Sequence, residues 1–215
     1  RESRDMVTAY ESTNHHDWLS PVYGHEPFFD KPLPGYALEA IAIRVLQRGW
    51  PAEQRATREV AVSDLYQNDG MRYLTRRPDE LLTDIVIPGA TAWRSTYWKL
   101  RRRGSFDFPV GAAAAAGQFD GDGRVRALRL VLGAVASRPL LAEKSAGLLV
   151  GEHLTDERIE AAAAAAYEIA KPMDNTDFEL VWRKKMIRTL VTHALRELRG
   201  DDMRDARLRI ARQLL

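Results

Sequence analysis

The apolar stretch from Val110 to Phe119 constrains the fold more than any other segment, because it consists largely of alanine and glycine. Alanine is the best helix former, so composition alone favours a helix here. However, Asp120-Gly121-Asp122-Gly123 follows directly, and aspartate–glycine pairs are typical of the tight turn in a β-hairpin. We therefore predict that residues 110–119 form a strand, which turns back at residues 120–123.

The segments on either side complete a predicted antiparallel meander over residues 95–133. Residues 95–100 are rich in strand-forming side chains. After the turn, residues 124–133 alternate with a period of two, which places three leucines on one face: Leu128, Leu130 and Leu132. The alanines of the central strand leave room for a backbone, a helix or a flat ligand to approach closely.

Helical patterns follow the meander. Residues 140–150 predict a short helix that Gly151 closes, and Thr155 is the predicted N-cap of a second helix, which stops before Pro172. Thr176-x-x-Glu179 is a capping-box sequence. Apolar side chains then recur every four residues: Phe178, Trp182, Met186, Leu190, Ala194 and Leu198.

Gly200 is predicted to end this long helix, and residues 201–215 predict a last amphipathic helix with Met203, Ala206, Ile210 and Leu214 on its apolar face. A sheet with one apolar face needs a cover. We therefore predict an α+β fold, in which a C-terminal three-stranded antiparallel sheet is covered by a three-helix cluster.

The first ninety residues have a different pattern. Residues 20–35 are rich in proline and aromatic side chains, which predicts an irregular loop that packs on another surface. Residues 60–65 predict a short strand that runs into a turn at Asn68-Asp69-Gly70. Residues 80–87 predict a second strand, because a β-branched run stops at a proline. We place a domain boundary at residues 88–91.

Composition argues against several classes of protein. The chain of 215 residues has 32 basic and 30 acidic side chains, and its net charge of +2 is too small to demand nucleic acid as a partner. Cysteine is absent, so disulfides, thiolate zinc sites and cysteine-ligated iron–sulfur clusters are excluded, and a reducing, cytosolic setting fits. No apolar run of about 18 residues occurs, so no transmembrane helix is expected. Residues 1–5 are charged and no apolar segment follows them, so no signal peptide is expected in this chain.

The segment from Lys99 to Asp107 is the most basic in the chain and places several cations before a glycine, a hydroxyl and a carboxylate. Such a group can hold an anion, orient a carbonyl or pair internally. Two interpretations stay open from the residues alone. One is a solvated charge run with an arginine–aspartate ion pair, and the other is contact with a ligand, since arginine suits bidentate contacts and stacking on flat rings.

Other polar groups predict no site. His15-His16-Asp17 and His25-Glu26 are interpreted as loop polarity, because adjacent histidines rarely chelate one ion. Asp120 and Asp122 are explained by the hairpin turn, and His193 is interpreted as a structural residue on a helix face. No phosphate-binding loop, dinucleotide fingerprint or nucleophile elbow occurs, so we assign no catalytic residue and no metal ligand.

Several motifs occur together in a particular order. The first is Glu80-Leu-Leu-Thr-Asp-Ile-Val-Ile-Pro88, and the second is Tyr97-Trp-Lys-Leu-Arg-Arg-Arg-Gly-Ser-Phe-Asp107. The alanine strand follows, and then further motifs: Asp122-Gly-Arg-Val125, Leu132-Gly-Ala-Val135, Arg138-Pro139 and Leu149-Val-Gly151. Over residues 80–205 this order resembles the C-terminal part of the flavoprotein (medium) subunit of molybdenum hydroxylases. Residues 62–70 are similar to the subunit of 4-hydroxybenzoyl-CoA reductase-like enzymes in particular.

The resemblance implies a subunit that binds FAD and passes electrons between FAD and iron–sulfur clusters on a small partner subunit, while a large partner subunit carries molybdopterin and the substrate. It implies that Lys99 and Arg103 lie near the flavin ring, with Asp107 in the same loop. A lysine there would stabilise charge on the reduced ring. It also implies that residues 91–215 are the C-terminal domain and residues 1–90 a partial or diverged remnant of the α/β FAD-binding domain.

The chain departs from the family at its front end. The glycine-rich diphosphate loop of the family has no counterpart, so FAD binding is expected to require a missing N-terminal half. The cysteine-bound cluster of the reductase subfamily is impossible here. Two functions stay open: a cytoplasmic, electron-relaying flavoprotein subunit, and a non-catalytic assembly module that docks partner subunits and has lost flavin binding. Neither nucleic acid nor a membrane is an expected partner.

Overall fold

The computed structural model describes residues 57–86, 92–103, 107–176 and 178–212, together with the backbone of residues 42–47. Within these ranges seven strands and five helices follow one another. They are β1 (Ala42–Gln47), β2 (Thr57–Ala61), α1 (Val62–Leu65), β3 (Glu80–Val86), β4 (Arg94–Arg101), β5 (Pro109–Phe119), β6 (Val125–Gly133), β7 (Leu140–Leu141), α2 (Glu143–Gly147), α3 (Asp156–Ile169), α4 (Leu180–Arg199) and α5 (Arg204–Arg212).

The strands form two antiparallel sheets. The first has the order β2-β1-β3 and the second the order β4-β5-β6-β7. The predicted α+β class is confirmed, and so are the three strands of the meander. The hairpin between β5 and β6 turns where the aspartate–glycine sequence predicts it, since Gly123 N donates to Asp120 O at 3.1 Å and Gly123 has a φ of 83°.

The second sheet has one strand more than predicted. Leu140 and Leu141, which we expected to begin a helix, instead pair with the outer edge of β6 as β7. The backbone N–H of Ala142 also donates to Leu130 O at 2.8 Å, so pairing with β6 satisfies polar groups that a helix start would leave open. The helix α2 therefore begins only at Glu143.

Side chains alternate across this sheet as the sequence predicts. The three leucines of β6 are buried on the face that meets the helices, where Trp98 and Leu100 of β4 join them. A cluster of α2, α3 and α4 covers this face, and α5 lies against β4. Close packing of α3 on α4 follows from its fully buried alanines, Ala162, Ala163 and Ala166, because a methyl group lets two helices approach closely.

The helix ends agree with the sequence at two places and differ at a third. Thr155 caps α3 by accepting from Arg158 N, and Gly200 ends α4 in the left-handed region, with a φ of 113°. The predicted capping box is wrong. The hydroxyl of Thr176 accepts from Phe178 N at 3.3 Å in a local turn, so α4 begins later, at Leu180, and Glu179 makes no side-chain cap.

In the first sheet, β3 confirms the predicted strand through Val86, while the strand expected at residues 60–65 ends at Ala61. Val62 and Leu65 then form one helical turn, and both are buried. Residues three apart share a side of a helical turn but face opposite sides of a strand, so burial of both side chains requires the turn. Asp69 fixes the following turn by accepting from the backbone of Met71 and Arg72.

The predicted proline-rich loop at residues 20–35 and the histidines at positions 15, 16 and 25 lie outside the described residues. The same holds for the proposed domain boundary at residues 88–91, so the division of the chain into two domains stays a prediction. One contact joins the segment before that boundary to the second sheet. Ser137 Oγ, in the loop after β6, donates to Asn68 Oδ1 at 2.8 Å.

Candidate functional site

The face of the second sheet that points away from the helices is built around small residues. Lys99 pairs with Ala112, which in turn pairs with Gly133, and directly paired residues on neighbouring strands share a face. Gly111, one residue earlier, faces the helices, because a Cβ on it would lie 3.3 Å from Ile187 Cδ1. We call Lys99, Ala112 and Gly133 the lysine row.

A second row runs parallel to the lysine row and consists of Tyr97, Ala114 and Val131. The centre of this face is therefore a floor of alanine methyl groups, with longer side chains along both sides. Small side chains of this kind let a backbone, a helix or a flat ligand approach closely, and which of these covers the alanine strand stays a prediction; Ala112 is almost fully buried.

Lys99 is half-buried and lines a cleft of about 360 Å³ between β4 and α5. The cleft is also lined by Tyr97, Trp98, Arg101, Arg207, Ile210 and Ala211. Three of the lining side chains are basic, namely Lys99, Arg101 and Arg207, and Arg207 is paired with Glu197. Of the three predicted site residues, only Lys99 lines this cleft.

Arg103 and Asp107 meet each other across the hairpin between β4 and β5. Arg103 Nε and Nη2 donate to the two oxygens of Asp107 at 3.2 and 3.0 Å. The backbone N–H groups of Arg103 and Phe108 donate to the same carboxylate. These hydrogen bonds, with that of the guanidinium the largest, hold the pKa of Asp107 well below its usual range. The ion pair that one interpretation expected is present, and contact of either residue with a cofactor stays a prediction.

Behind the lysine row, β4 is fastened to the helices by a network that sequence reasoning missed. The Glu197 carboxylate accepts from Trp98 Nε1 at 2.9 Å, from the Thr96 hydroxyl, and from Arg207 Nη2 at 2.6 Å. Burial alone raises the pKa of Glu197, but the hydrogen bonds from Arg207, Thr96 and Trp98 outweigh it and hold the pKa below its usual range. The network thereby joins α4 and α5 to the strand that carries Lys99.

Arg183 is the second residue that the sequence analysis missed. Its side chain is almost fully buried, and its guanidinium donates to four oxygens: Val110 O at 3.1 Å, Ala134 O at 2.7 Å, Met173 O at 2.6 Å and Asn175 Oδ1 at 2.9 Å. Burial lowers the pKa of Arg183, which stays charged. A signal was present, because Arg183 precedes Met186 and Ile187 by three and four residues and so falls on the buried stripe of α4.

The remaining candidates agree with their structural interpretations. Asp120 accepts from the backbone of Asp122 and Arg124 at 3.0 and 2.8 Å, which is turn geometry. His193 packs against Trp98 on the helical side of β4. Within the described ranges, three or more potential metal-ligating side chains nowhere come together.

The sheet and the helices over it coincide with the segment that matches a family model, the CO dehydrogenase flavoprotein C-terminal domain, over residues 95–198. Residues 95–198 belong to this family. Among curated proteins, the chain is 27% identical over 145 residues to the aldehyde oxidoreductase FAD-binding subunit PaoB of Escherichia coli K12, an alignment that covers 64% of this chain and 41% of PaoB.

Solved structures agree with the family assignment. The reconstituted CO dehydrogenase from Oligotropha carboxidovorans has a chain that is 29% identical, with a TM-score of 0.65, over 76% of this chain and 54% of that one. Carbon monoxide dehydrogenase from Hydrogenophaga pseudoflava gives 26% identity and a TM-score of 0.62, over 74% of this chain and 52% of that one. The chain described here thus spans about half the length of the relatives it matches.

The predicted resemblance to molybdenum hydroxylase flavoproteins is confirmed at the level of this family. The narrower similarity to 4-hydroxybenzoyl-CoA reductase-like enzymes stays a prediction. In the part of the chain that the structure describes, no helix combines the length and the apolar character that crossing a membrane requires.

Proposed function

We propose that the chain is the C-terminal part of an FAD-binding subunit in a molybdenum hydroxylase-like oxidoreductase, and that this subunit relays electrons between FAD and the iron–sulfur clusters of a partner. The observation that carries the proposal is the lysine row, which sets one cation beside a floor of alanine and glycine on the face turned away from the helices. The FAD-binding subunit PaoB and the CO dehydrogenase chains among its relatives support it.

The residues of this face fit a flat, redox-active ring. Ala112 and Ala114 present only methyl groups, so β5 itself places no large side chain between the sheet and a planar group, although Ala112 is almost fully buried in this structure. FAD, when bound, supplies the transfer of one or two electrons. Lys99 stands at the rim of the floor, where a cation stabilises negative charge gained on reduction and orients a carbonyl by donating a hydrogen bond.

Arg103 and Asp107 take a different part in this proposal. Because Asp107 neutralises Arg103 and also accepts from two backbone N–H groups, the pair fixes the shape of the hairpin at the end of β4. The hairpin lies at the same end of the sheet as the lysine row. Asp107 therefore positions the loop, and Arg103 lies near the ring while its charge is shared with Asp107.

The proposed assembly is a cytoplasmic complex with a large subunit that carries molybdopterin and the substrate, and a small subunit that carries iron–sulfur clusters. No substrate chemistry is assigned to this chain. Its own residues bind and orient FAD and leave substrate oxidation or reduction to the large subunit.

A second function is favoured by one specific observation. The guanidinium of Arg103 is already bound by Asp107 in a bidentate pair, so one of the two cations expected beside a flavin is neutralised internally. This supports a non-catalytic assembly module that docks partner subunits without flavin.

The experiment is to purify the full chain in complex with its partner subunits and record the visible spectrum. Absorption at about 450 nm, typical of a bound oxidised flavin, supports the first function. A colourless complex with intact subunit stoichiometry supports the assembly module and contradicts the first.

Two matched variants then test the site itself. Lys99→Gln is expected to slow reduction of the bound flavin about tenfold or more, the effect of about 1.4 kcal/mol on a barrier, with little change in thermal stability. Lys185→Gln removes the charge of an exposed lysine from the outer side of α4 and is expected to leave reduction unchanged. Normal reduction in Lys99→Gln would contradict the role of the lysine row.

A further inference from the structure

Arg183 joins two strand ends that lie beside the lysine row. Val110, whose carbonyl accepts from Arg183 Nε, is two residues before Ala112 on β5. Ala134, whose carbonyl accepts from Nη2, directly follows Gly133 at the end of β6. One guanidinium therefore holds the start of β5 and the end of β6, which lie next to each other on the same side of the lysine row.

The remaining nitrogen of the Arg183 guanidinium, Nη1, also donates hydrogen bonds. Nη1 donates to Met173 O and to Asn175 Oδ1, which belong to the segment that leads into α4. All four acceptors are neutral oxygens, and each is met by a separate N–H direction of a planar fork. A lysine ammonium has neither the reach nor the plane to replace these contacts together.

The backbone next to the clamp adopts an unusual conformation. Ala134 has a φ of 61°, and it is the one described residue other than glycine with a positive φ. A side chain in this region costs about 1 kcal/mol or more, so surrounding contacts must hold it there. The hydrogen bond from Arg183 to Ala134 O is such a contact, and it directs the chain away from β6 immediately after Gly133.

We propose that Arg183 is a positioning residue for flavin: it fixes the ends of β5 and β6 so that Ala112 and Gly133 stay level with Lys99 as the floor of the ring site. This inference rests on the proposed function. The geometry that supports it is the four-way contact of a buried guanidinium within two residues of the row, whereas the Glu197 network fastens the row only through β4.

The test measures FAD affinity in the full complex after FAD is removed and then titrated back, followed by flavin fluorescence. Arg183→Met and Arg183→Lys are both expected to weaken FAD binding roughly tenfold, the order by which the loss of supporting hydrogen bonds weakens a bound group. The control is Leu154→Ala, which removes a buried side chain near the opposite end of β6, where Val125 N donates to Glu152 O. It is expected to lower thermal stability without changing FAD affinity.

The results distinguish a positioning role of Arg183 from a role that needs only its charge and from a purely structural role. Full recovery in Arg183→Lys overturns the inference, because charge without the planar fork would then suffice. Unchanged FAD affinity in both Arg183 variants, beside a loss of thermal stability, reduces Arg183 to a structural residue and also overturns it.

A second readout separates this inference from the proposed function. Amide hydrogen exchange at Ala112 and Gly133 is expected to accelerate in both Arg183 variants and to stay slow in Leu154→Ala. A wild-type complex that takes up no FAD overturns the proposed function and the flavin role of Arg183 together. Accelerated exchange would then still establish the clamp on the strand ends, and unchanged exchange would refute the clamp as well.

Discussion

The imidazole of His193 lies against the indole of Trp98, with 4.8 Å between the ring centroids and 55° between the ring planes. The contact joins α4 to the strand that carries Lys99. Nδ1 of His193 is buried without a hydrogen-bond partner, so packing rather than polar contact holds the ring. This arrangement suits a neutral imidazole, since a buried charge without a partner is costly.

Two of the charges around His193 also favour the neutral imidazole. Burial is the main reason why the pKa of His193 lies below its usual value, and the nearby cations Arg196 and Arg209 lower it further, while Glu197 opposes them. Arg207 adds a third cation on the face of Trp98, 4.4 Å from the ring centroid. Protonation of His193 would therefore place a charge close to Arg196 and Arg209.

We predict that this histidine makes stability depend on pH. Because its pKa is lower in the folded state, its contribution is present above the unfolded pKa of about 6.5 and is lost as the pH falls through the folded pKa. The free energy of unfolding, measured with urea, should therefore fall between pH 7.5 and pH 5.5. His193→Phe keeps the ring contact and should remove this slope. His153→Gln, at an exposed histidine, should retain it, and a slope that persists in His193→Phe would contradict the assignment.

A second prediction concerns the carboxylate that fastens β4 to α4 and α5. Glu197→Gln keeps the shape of the side chain but leaves Arg207 without its charged acceptor, and it weakens the contacts to Thr96 and Trp98. We expect the free energy of unfolding to fall by about 2 kcal/mol, the value typical of hydrogen bonds to a charged group. Glu160→Gln, which breaks an exposed pair with Arg188, should cost less than about 1 kcal/mol. Equal losses in the two variants would show that the Glu197 network contributes no more than a surface pair.

Local signals account for the part of the fold that the sequence predicts correctly. The turn at Asp120 to Gly123 decides that an alanine-rich segment is a strand, and Thr155 and Gly200 mark helix ends through contacts a few residues away. The errors lie where distant pairing decides. Leu140 and Leu141 form a strand because they pair with the edge of β6. The residues of their own segment do not predict this pairing.

The candidate site divides in the same way. The pairing of Arg103 with Asp107 spans four residues and was one of the two interpretations that the sequence left open. The contact from Arg183 to Val110 spans 73 residues, and that from Arg207 to Thr96 spans 111. From the sequence alone, a charged side chain on a helix is predicted to lie at the surface. Only the folded structure shows which of these side chains donate hydrogen bonds to buried oxygens.

A third prediction concerns acid stability of the first sheet. Glu80 is buried and accepts from Arg58 Nε and Nη2 at 2.7 and 2.9 Å and from Arg77 N at 2.7 Å. The hydrogen bond from Arg58 is the main cause that lowers the pKa of Glu80 to about 2. Its contribution is therefore present above the unfolded value of 4.5 and is lost as the pH falls towards 2.

Hydrogen exchange of the β3 amides is the measurement for this carboxylate, because it reports on the first sheet alone. Glu80→Gln should weaken protection of β3 by about 2 kcal/mol at neutral pH and flatten the loss of protection between pH 4.5 and pH 3. Asp79→Asn, at the exposed neighbour, is the control and should leave protection unchanged. Wild-type protection in Glu80→Gln at neutral pH would refute the contribution of this carboxylate.

The last prediction uses the glycine that ends α4. Gly200 has a φ of 113° and its N–H donates to Arg196 O and Glu197 O at 3.2 and 3.1 Å, so the residue closes the helix that holds Glu197. A Cβ at this position would meet no atom within 4 Å, which leaves backbone strain as the only cost of Gly200→Ala. We expect a loss of about 1 kcal/mol in urea unfolding. Gly147→Ala, at a glycine of α2 without a positive φ and with equally open space, should be neutral or gain up to about 1 kcal/mol. Both substitutions add a methyl group to open space, so any difference between their changes in the free energy of unfolding reports the cost of the left-handed backbone at Gly200. Equal changes in the two variants would contradict the prediction.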